Sequence, residues 1–311
     1  MVALGGAVTG LILLDHSWLQ LLIAAALGIV FTQFAFLGHE ASHRQILKSG
    51  PANDRIGRIL ATLFVGISYS WWMNKHNRHH ANPNKIGKDP DIEVDTISFL
   101  EEDAAQSKGW VRWLTRRQGY LFFPLLLLEG INLHRLSIHD LLTRRGVEGR
   151  AFEIALLTLR IGGYLAVIFW LLPVGMAFAF IGVQLGVFGL YMGASFAPNH
   201  KGMPIIARDV KLDFFAKQVR TSRNIAGGWW ATALMGGLNF QIEHHLFPSM
   251  PRTHLRKARA LVRDHCRRLK VPYSEVSLLT SYGIVIDYLN KVGLAARDPF
   301  DCPLAGNLRG V

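Results

Sequence analysis

Four stretches of this 311-residue chain are nearly free of charge: residues 1–14, 18–37, 151–172 and 174–198. Only Glu153 and Arg160 interrupt the third. A helix crosses the hydrocarbon core of a bilayer with about 20 apolar residues. The last three stretches meet that length. The first falls short by about a turn and a half, lacks the basic n-region of a signal peptide, and is expected to begin upstream of Met1. Asp15-His16-Ser17 links the first pair of stretches and Pro173 breaks the second, so each pair reads as a hairpin. The expected order is a transmembrane hairpin (1–37), a polar segment (38–150), a second hairpin (151–198) and a second polar segment (199–311). The expected fold class is an all-α integral membrane protein whose helical polar segments form one cap.

The basic residues orient this arrangement. Lys and Arg number 34 against 22 Asp and Glu, a net charge of +12. Sixteen of the 34 fall in 38–150, seventeen in 198–311, and Arg160 is the last. The hairpin tips carry none. The positive-inside rule then puts both polar segments in the cytoplasm and both tips outside. No zinc-finger or RNA-binding motif is present and the basic residues flank apolar runs, so no nucleic-acid partner is expected. A hydrophobic content of 50% excludes a disordered chain. Cys266 and Cys302 form no CxxC pair, which argues against a disulfide scaffold. Two further apolar runs, 56–72 and 119–133, are too short to span and suit interfacial or re-entrant helices.

Histidine placement carries the chemistry. Eight of the 13 histidines fall in four groups on the same expected side of the membrane. His39-Glu40-Ala41-Ser42-His43 follows the second apolar stretch. His76-Asn77-Arg78-His79-His80 sets three imidazoles within one helical turn. Gln241-Ile242-Glu243-His244-His245 repeats that spacing with Gln first. His200 ends the fourth stretch. Residues at i, i+3 and i+4 share a helix face, and imidazole is a good ligand for iron, zinc, copper and nickel. Eight imidazoles exceed the needs of one ion and fit two. His16, His134, His139, His254 and His265 stand apart and read as ordinary surface or core residues. His39-Glu40-Ala41-Ser42-His43 also matches the HExxH pattern of zinc proteases, with Glu40 as general base. That reading, a membrane zinc hydrolase, leaves six grouped histidines unexplained. A non-catalytic membrane metal binder is a third class.

At these residues the sequence resembles the membrane fatty acid desaturase family, whose three histidine boxes read HxxxH, HxxHH and (H/Q)xxHH. The string from Trp71 to Asn84, Asn199-His200-Lys201-Gly202-Met203-Pro204, and Gln241 to Pro251 look most like bacterial, especially actinobacterial, acyl-CoA desaturases. The resemblance runs over about residues 21–294. Gln241 heads the third box as in the front-end and linoleoyl-CoA-like branch. The resemblance implies a di-iron centre held by His39, His43, His76, His79, His80, His200, His244 and His245. Gln241 replaces a histidine ligand of other relatives; its amide can bind weakly, bind through water or leave that position open. Glu40 stands where many relatives have Asp.

The implied reaction is O2-dependent insertion of a cis double bond into a long-chain fatty acyl group, carried as acyl-CoA or acyl-lipid, with no separate acid or base assigned. Hydroxylase, acetylenase and sphingolipid desaturase chemistry share the same boxes. Glu40, Asp89, Asp91 and Glu243 are candidate acceptors for the outer N–H groups of the ligands. Trp71, Trp72, Trp229 and Trp230 either line an apolar tunnel or anchor at the interface. No dinucleotide fingerprint, iron–sulfur cysteine cluster or fused cytochrome-like segment is seen in this sequence, so a separate electron donor is expected, a ferredoxin or reductase whose acidic surface would suit the basic face. The implied location is a bacterial inner membrane. A basic helix opens at Arg252, and the end from Asp298 reads as loosely ordered.

Overall fold

The computed structural model describes residues 1–297; Cys302 and the tail expected to be loose lie outside the described residues. The first half runs α1 (Val2–Leu13), α2 (Gln20–Ser42), α3 (Gly50–Arg58), a π-helix (Ile59–Val65), α4 (Tyr69–Ala81), α5 (Glu101–Gln106), α6 (Gly109–Thr115) and α7 (Phe122–Thr143). Then follow α8 (Arg150–Leu171), α9 (Val174–His200), α10 (Phe214–Thr221), β1 (Asn224–Ala226), α11 (Trp229–Leu234), α12 (Gln241–Leu246), α13 (Arg252–Leu269), β2 (Glu275–Ser277) and α14 (Leu278–Leu294). The fold is mostly helical, as expected. It also holds a small parallel ladder, in which Asn224, Ile225 and Ala226 pair with Glu275, Val276 and Ser277, and a single bridge between Lys85 and Ile206.

Among the described residues three helices are long and apolar enough to cross a membrane: α2, α8 and α9. The first stretch gives the 12-residue α1, about 18 Å long, which packs on α2. The Gln20 amide donates to the Leu11 and Asp15 carbonyls at 2.7 and 2.9 Å. The Leu11 carbonyl is one that a helix end leaves unpaired, and Asp15 lies in the turn that follows.

The 56–72 run does not form one helix. It passes from α3 into the π-helix, turns at Gly66 with φ +96°, and restarts at α4, where the Ser68 hydroxyl accepts from Trp71 N–H at 3.2 Å as an N-cap. The π-helix packs against α2 and α8. The carbonyls at its end are met by side chains: Arg160 Nε donates to Phe64 O at 2.9 Å, and His134 Nε2 lies 3.3 Å from Val65 O. The Arg160 guanidinium also sits over the Phe31 and Tyr164 rings, 4.4 and 4.7 Å from their centroids. So the two charges that interrupt the third apolar stretch have partners. Glu153, fully buried, accepts from Ser68 Oγ at 2.6 Å, Ser70 Oγ at 2.5 Å and Arg58 Nε at 3.3 Å.

The 119–133 run departs further from expectation. It opens the 22-residue α7, which continues through Arg135 and Asp140 to Thr143. A stripe of small residues explains its packing on α9. A Cβ added at Gly130 would lie 2.3 Å from Leu185 O, and one at Gly189 would lie 2.3 Å from Gly130 N. The two backbones touch where side chains are missing, as in close-packed membrane helices. α2 packs on another face of α9, with Gly28 against Gln184 O and Val187. Gly189→Val should therefore force α7 off α9, at a cost of about 1–3 kcal/mol. The check is the thermal midpoint of the detergent-solubilised protein, which should fall for Gly189→Val and hold for Gly182→Ala, where a Cβ meets nothing within 4 Å.

Candidate metal centre

Four helices end or turn at one place. α2 delivers His39 in its last turn and His43 just after it. α4 delivers His76, His79 and His80 from its last two turns. α9 ends on His200, and α12 carries His244 and His245. α9 runs through Pro198, which has no N–H to give to Ala194; the freed Ala194 carbonyl accepts from Tyr282 Oη at 2.8 Å. Arg223 and Ser281 grip the Pro198 carbonyl, at 2.6 and 2.7 Å, so the end that presents His200 is fixed.

α12 is only six residues long, too short to hold by propensity, and all six are buried. The turn before it needs positive φ at Gly236 (+56°) and Gly237 (+88°), where a Cβ would strike Phe36 and Arg252. Asn224 Oδ1 accepts from Ile242 N–H at 2.9 Å in the first turn of α12, and its Nδ2 donates to Glu243 Oε2 at 2.7 Å. Below it, Ile242 and Leu246 pack with Val219, Val262 and Cys266. The basic helix expected at Arg252 is thus the support of the third histidine group.

The eight histidines fall into two clusters. His39, His43, His76, His80 and His244 form one; His79, His200 and His245 form the other. Within each cluster one nitrogen per ring lies within 4.8 Å of all the others. Imidazole–metal bonds of about 2.1 Å set opposed ligand atoms about 4.2 Å apart, so each cluster fits one ion. His43 Nε2 and His76 Nε2 face each other at 2.7 Å, and His79 Nε2 and His200 Nε2 at 3.3 Å. The clusters adjoin: the His80 and His245 rings stack at 4.2 Å, 8° from parallel. The Nε2 atoms of His39, His80, His244 and His245 are buried with no hydrogen-bond partner. Each such atom left alone costs about 1–3 kcal/mol. One cation in each cluster would answer all four.

Electrostatics suit the same purpose. Burial, then neighbouring imidazoles, hold His76, His80, His244 and His245 well below the ordinary imidazole range, and burial brings His43 down to about 4. These rings are neutral near pH 7 and keep a free lone pair. His79 differs. Burial lowers it too, but the Asp91 and Asp89 carboxylates outweigh burial and raise it.

The outer nitrogens are held as well. His79 Nδ1 lies 3.0 Å from Asp89 Oδ1 and 3.3 Å from Asp91 Oδ2. Asp89 is itself fixed by Asn84 N–H at 2.7 Å and Asp91 N–H at 2.9 Å, and Asp91 pairs with Lys75. His200 Nδ1 donates to Thr221 O at 2.9 Å, and His245 Nδ1 to Gln218 Oε1 at 2.9 Å. Two of the four acidic residues expected in this role do not fill it. Glu40 pairs with Arg252 at 2.8 Å, and Glu243 with Asn224 and Tyr273. Sequence reasoning missed Asn84, Gln218, Thr221, Arg223 and Asn224; only Asn84 lay inside a string that drew attention. The five remaining histidines stay outside both clusters. His134 serves the π-helix, and His265 packs edge-on to Phe215 at 5.1 Å.

Asp89→Asn would remove one of the two carboxylate charges facing His79 while keeping the shape. Metal affinity of the second cluster should fall by about 10–100-fold, read as the second of two binding steps in a metal titration of the stripped protein.

Comparison with known proteins places the chain. Residues 16–277 match the family described as fatty acid desaturase. The chain is 31% identical to the Delta(8)-fatty-acid desaturase of Helianthus annuus, over 95% of this chain and 67% of that protein. It is 28% identical to the acyl-lipid (9-3)-desaturase of Borago officinalis, over 97% and 70%. It is 30% identical to the Delta 8-(E)-sphingolipid desaturase of Lachancea kluyveri, over 94% of this chain and 55% of that protein. These relatives are plant and yeast proteins, not the bacterial acyl-CoA desaturases that the strings around the histidines resemble. Two histidine clusters at the ends of apolar helices, together with this likeness along nearly the whole length, make the chain an enzyme of the fatty acid desaturase family.

Proposed function

We propose that the protein is an O2-dependent acyl desaturase that inserts a cis double bond into a long-chain fatty acyl group. The observation that carries this reading is the pair of buried histidine clusters at the ends of α2 and α9. We propose His39, His43, His76, His80 and His244 as ligands of one iron and His79, His200 and His245 as ligands of the other. Two iron ions bound there would supply the redox chemistry by which O2 and two electrons remove two hydrogens from adjacent methylenes.

The chain's own residues set the conditions. Neutral rings offer lone pairs without bringing charge into an apolar site. Asp89, Thr221 O and Gln218 aim the three rings of the second cluster, His79, His200 and His245. Trp72 stacks on His76 at 4.7 Å, and Phe196 lies 6.2 Å from His39 and 6.0 Å from Trp72. These two aromatic rings form an apolar wall beside the first cluster, where methylenes could approach and water is kept away. Trp71 is buried in the core, whereas Trp229 and Trp230 are exposed, 83% and 45%, and suit interface anchors.

The two-hairpin topology and the division at 37, 150 and 198 belong to the same proposal, with both polar segments on the cytoplasmic side and a cell inner membrane as location. The basic cap suits the phosphates of an acyl-CoA. The printed names of the Borago and Lachancea relatives, acyl-lipid and sphingolipid, favour a lipid-borne acyl chain as the second reading. Expression in a host with a working electron donor, followed by gas chromatography–mass spectrometry of each lipid class, separates the two. A new unsaturated acid that vanishes with His80→Ala is expected; a hydroxylated product, or no oxygen uptake with metal bound, would overturn desaturation.

Electrons would arrive from a separate acidic ferredoxin or reductase. Arg256 and Arg263 are exposed on the outer face of α13, beside the Arg259–Glu275 and Arg267–Asp264 ion pairs. Turnover with such a donor should fall steeply as salt rises from low to physiological strength. A rate independent of salt would discard electrostatic docking.

A further inference from the structure

We propose that the basic face formed by the 82–88 loop, the 207–213 loop and α10 is the docking surface for the electron donor, a small acidic one-electron carrier protein. The inference rests on the desaturase reading, which needs such a donor, and names where it sits. Six cations build the face, Lys85, Lys88, Arg208, Lys211, Lys217 and Arg220, against Asp209 and Asp213. Backbone bonds join the loops: Ile86 N–H donates to Ile206 O at 3.0 Å and Ile206 N–H to Asn84 O at 2.8 Å. Lys85 Nζ then reaches Val210 O at 2.8 Å, and the Arg208 guanidinium lies 3.7 Å from where a Cβ on Gly87 would stand.

Lys217 joins them from α10. Burial first, then the charges of Lys85 and Lys88, lower its pKa, so the three ammonium groups feel one another. Little offsets that charge. Asp213 is engaged as the N-cap of α10, accepting from Ala216 N–H at 2.9 Å, and Asp103 of α5 feels the Arg208 charge without pairing. Among the described residues none of the six cations forms an ion pair. On α13, by contrast, Glu275 and Asp264 stand among the arginines. Val210 and Phe214 are exposed amid the six, 41% and 56%. Apolar side chains ringed by charge are the make-up of a protein-docking surface.

Position favours an electron carrier over the phosphates of a substrate. The inner side of α10 touches both clusters: Gln218 Nε2 donates to His80 O at 2.8 Å, and its Oε1 accepts from His245 Nδ1 at 2.9 Å. Its neighbour Lys217 donates to Ala81 O at 2.6 Å. One side chain thus joins the face to a residue of each cluster, and electron transfer weakens steeply with distance. The apolar wall at Trp72 lies toward the other end of α4, about 14 Å from Ala81 along the axis. Substrate methylenes would approach there, so the donor and the acyl chain meet the centre from different ends. Per turnover two carriers are oxidised by one electron each. Those electrons, two protons and the two hydrogens taken from the substrate reduce O2 to two waters.

The test uses the full chain, iron-loaded in detergent, with an acidic plant-type two-iron ferredoxin as donor. Its Kd at low salt and its anaerobic re-oxidation rate are measured. Lys88→Glu and Arg208→Glu, both at exposed positions, should each weaken binding by about fivefold to tenfold and slow re-oxidation in step, with iron content unchanged. High salt should erase the difference. Arg263→Glu makes the same change of charge on α13. A loss of binding there, with both other variants intact, would move the donor to α13 and overturn the assignment alone. Unchanged ferredoxin binding with a raised KM for acyl-CoA in Lys88→Glu and Arg208→Glu would give the face to the substrate and also overturn it. An iron-loaded wild type that takes no electrons from reduced ferredoxin would overturn the O2-dependent reading and this inference with it.

Discussion

Eight imidazoles must sit close together, dry and uncharged, and the rest of the fold serves that constraint. Protonated rings at these separations would repel one another in a low-dielectric setting. Burial keeps most of them neutral, and the price is a set of unpaired nitrogens that only a cation can answer. Carboxylates are nearly excluded from the clusters themselves. Asp89 and Asp91 stand behind His79, and there the charge is balanced by Lys75. The site is cationic in demand but neutral in construction, which suits metals that prefer nitrogen to oxygen ligands.

Such a site needs a frame that does not relax. α9 supplies it, because its small residues let α7 and α2 approach to backbone contact, and its end is clamped by Arg223, Ser281 and Tyr282. The polar cap then needs only short elements. α12 would not hold a helical form alone, yet it carries two histidines because Asn224 caps it and α13 packs beneath it. Rigid placement by packing and outer hydrogen bonds is what separates a metal site from a scatter of histidines.

Much of this was legible in the residues. The i, i+3, i+4 spacing of His76, His79 and His80 marks one helix turn, and the structure puts those residues on α4 with all three rings in the clusters. The long uncharged stretches gave α2, α8 and α9. What was not legible depends on contacts far apart in the chain. The split of the three boxes and His200 into a five-ring and a three-ring cluster follows from how α2, α4, α9 and α12 meet, not from spacing. Gln218 and Thr221 act through an amide oxygen and a backbone carbonyl, and neither leaves a pattern in sequence. Glu40 and Glu243 adjoin histidines along the chain but point elsewhere. The 119–133 run misled because its apolar part ends before the helix does. Polar residues after it still pack along α9 and the π-helix.

Arg160 ties distant parts of the chain together. A guanidinium midway along an apolar helix costs about 2.5–3.5 kcal/mol on entering a membrane. Here it is matched to the Phe64 carbonyl at the end of the π-helix, which also lacks a partner until Arg160 arrives. The two defects lie 96 residues apart in the chain. One hydrogen bond thus ties an early segment of the chain to a late one, and both partners are satisfied only where α8 packs on the π-helix.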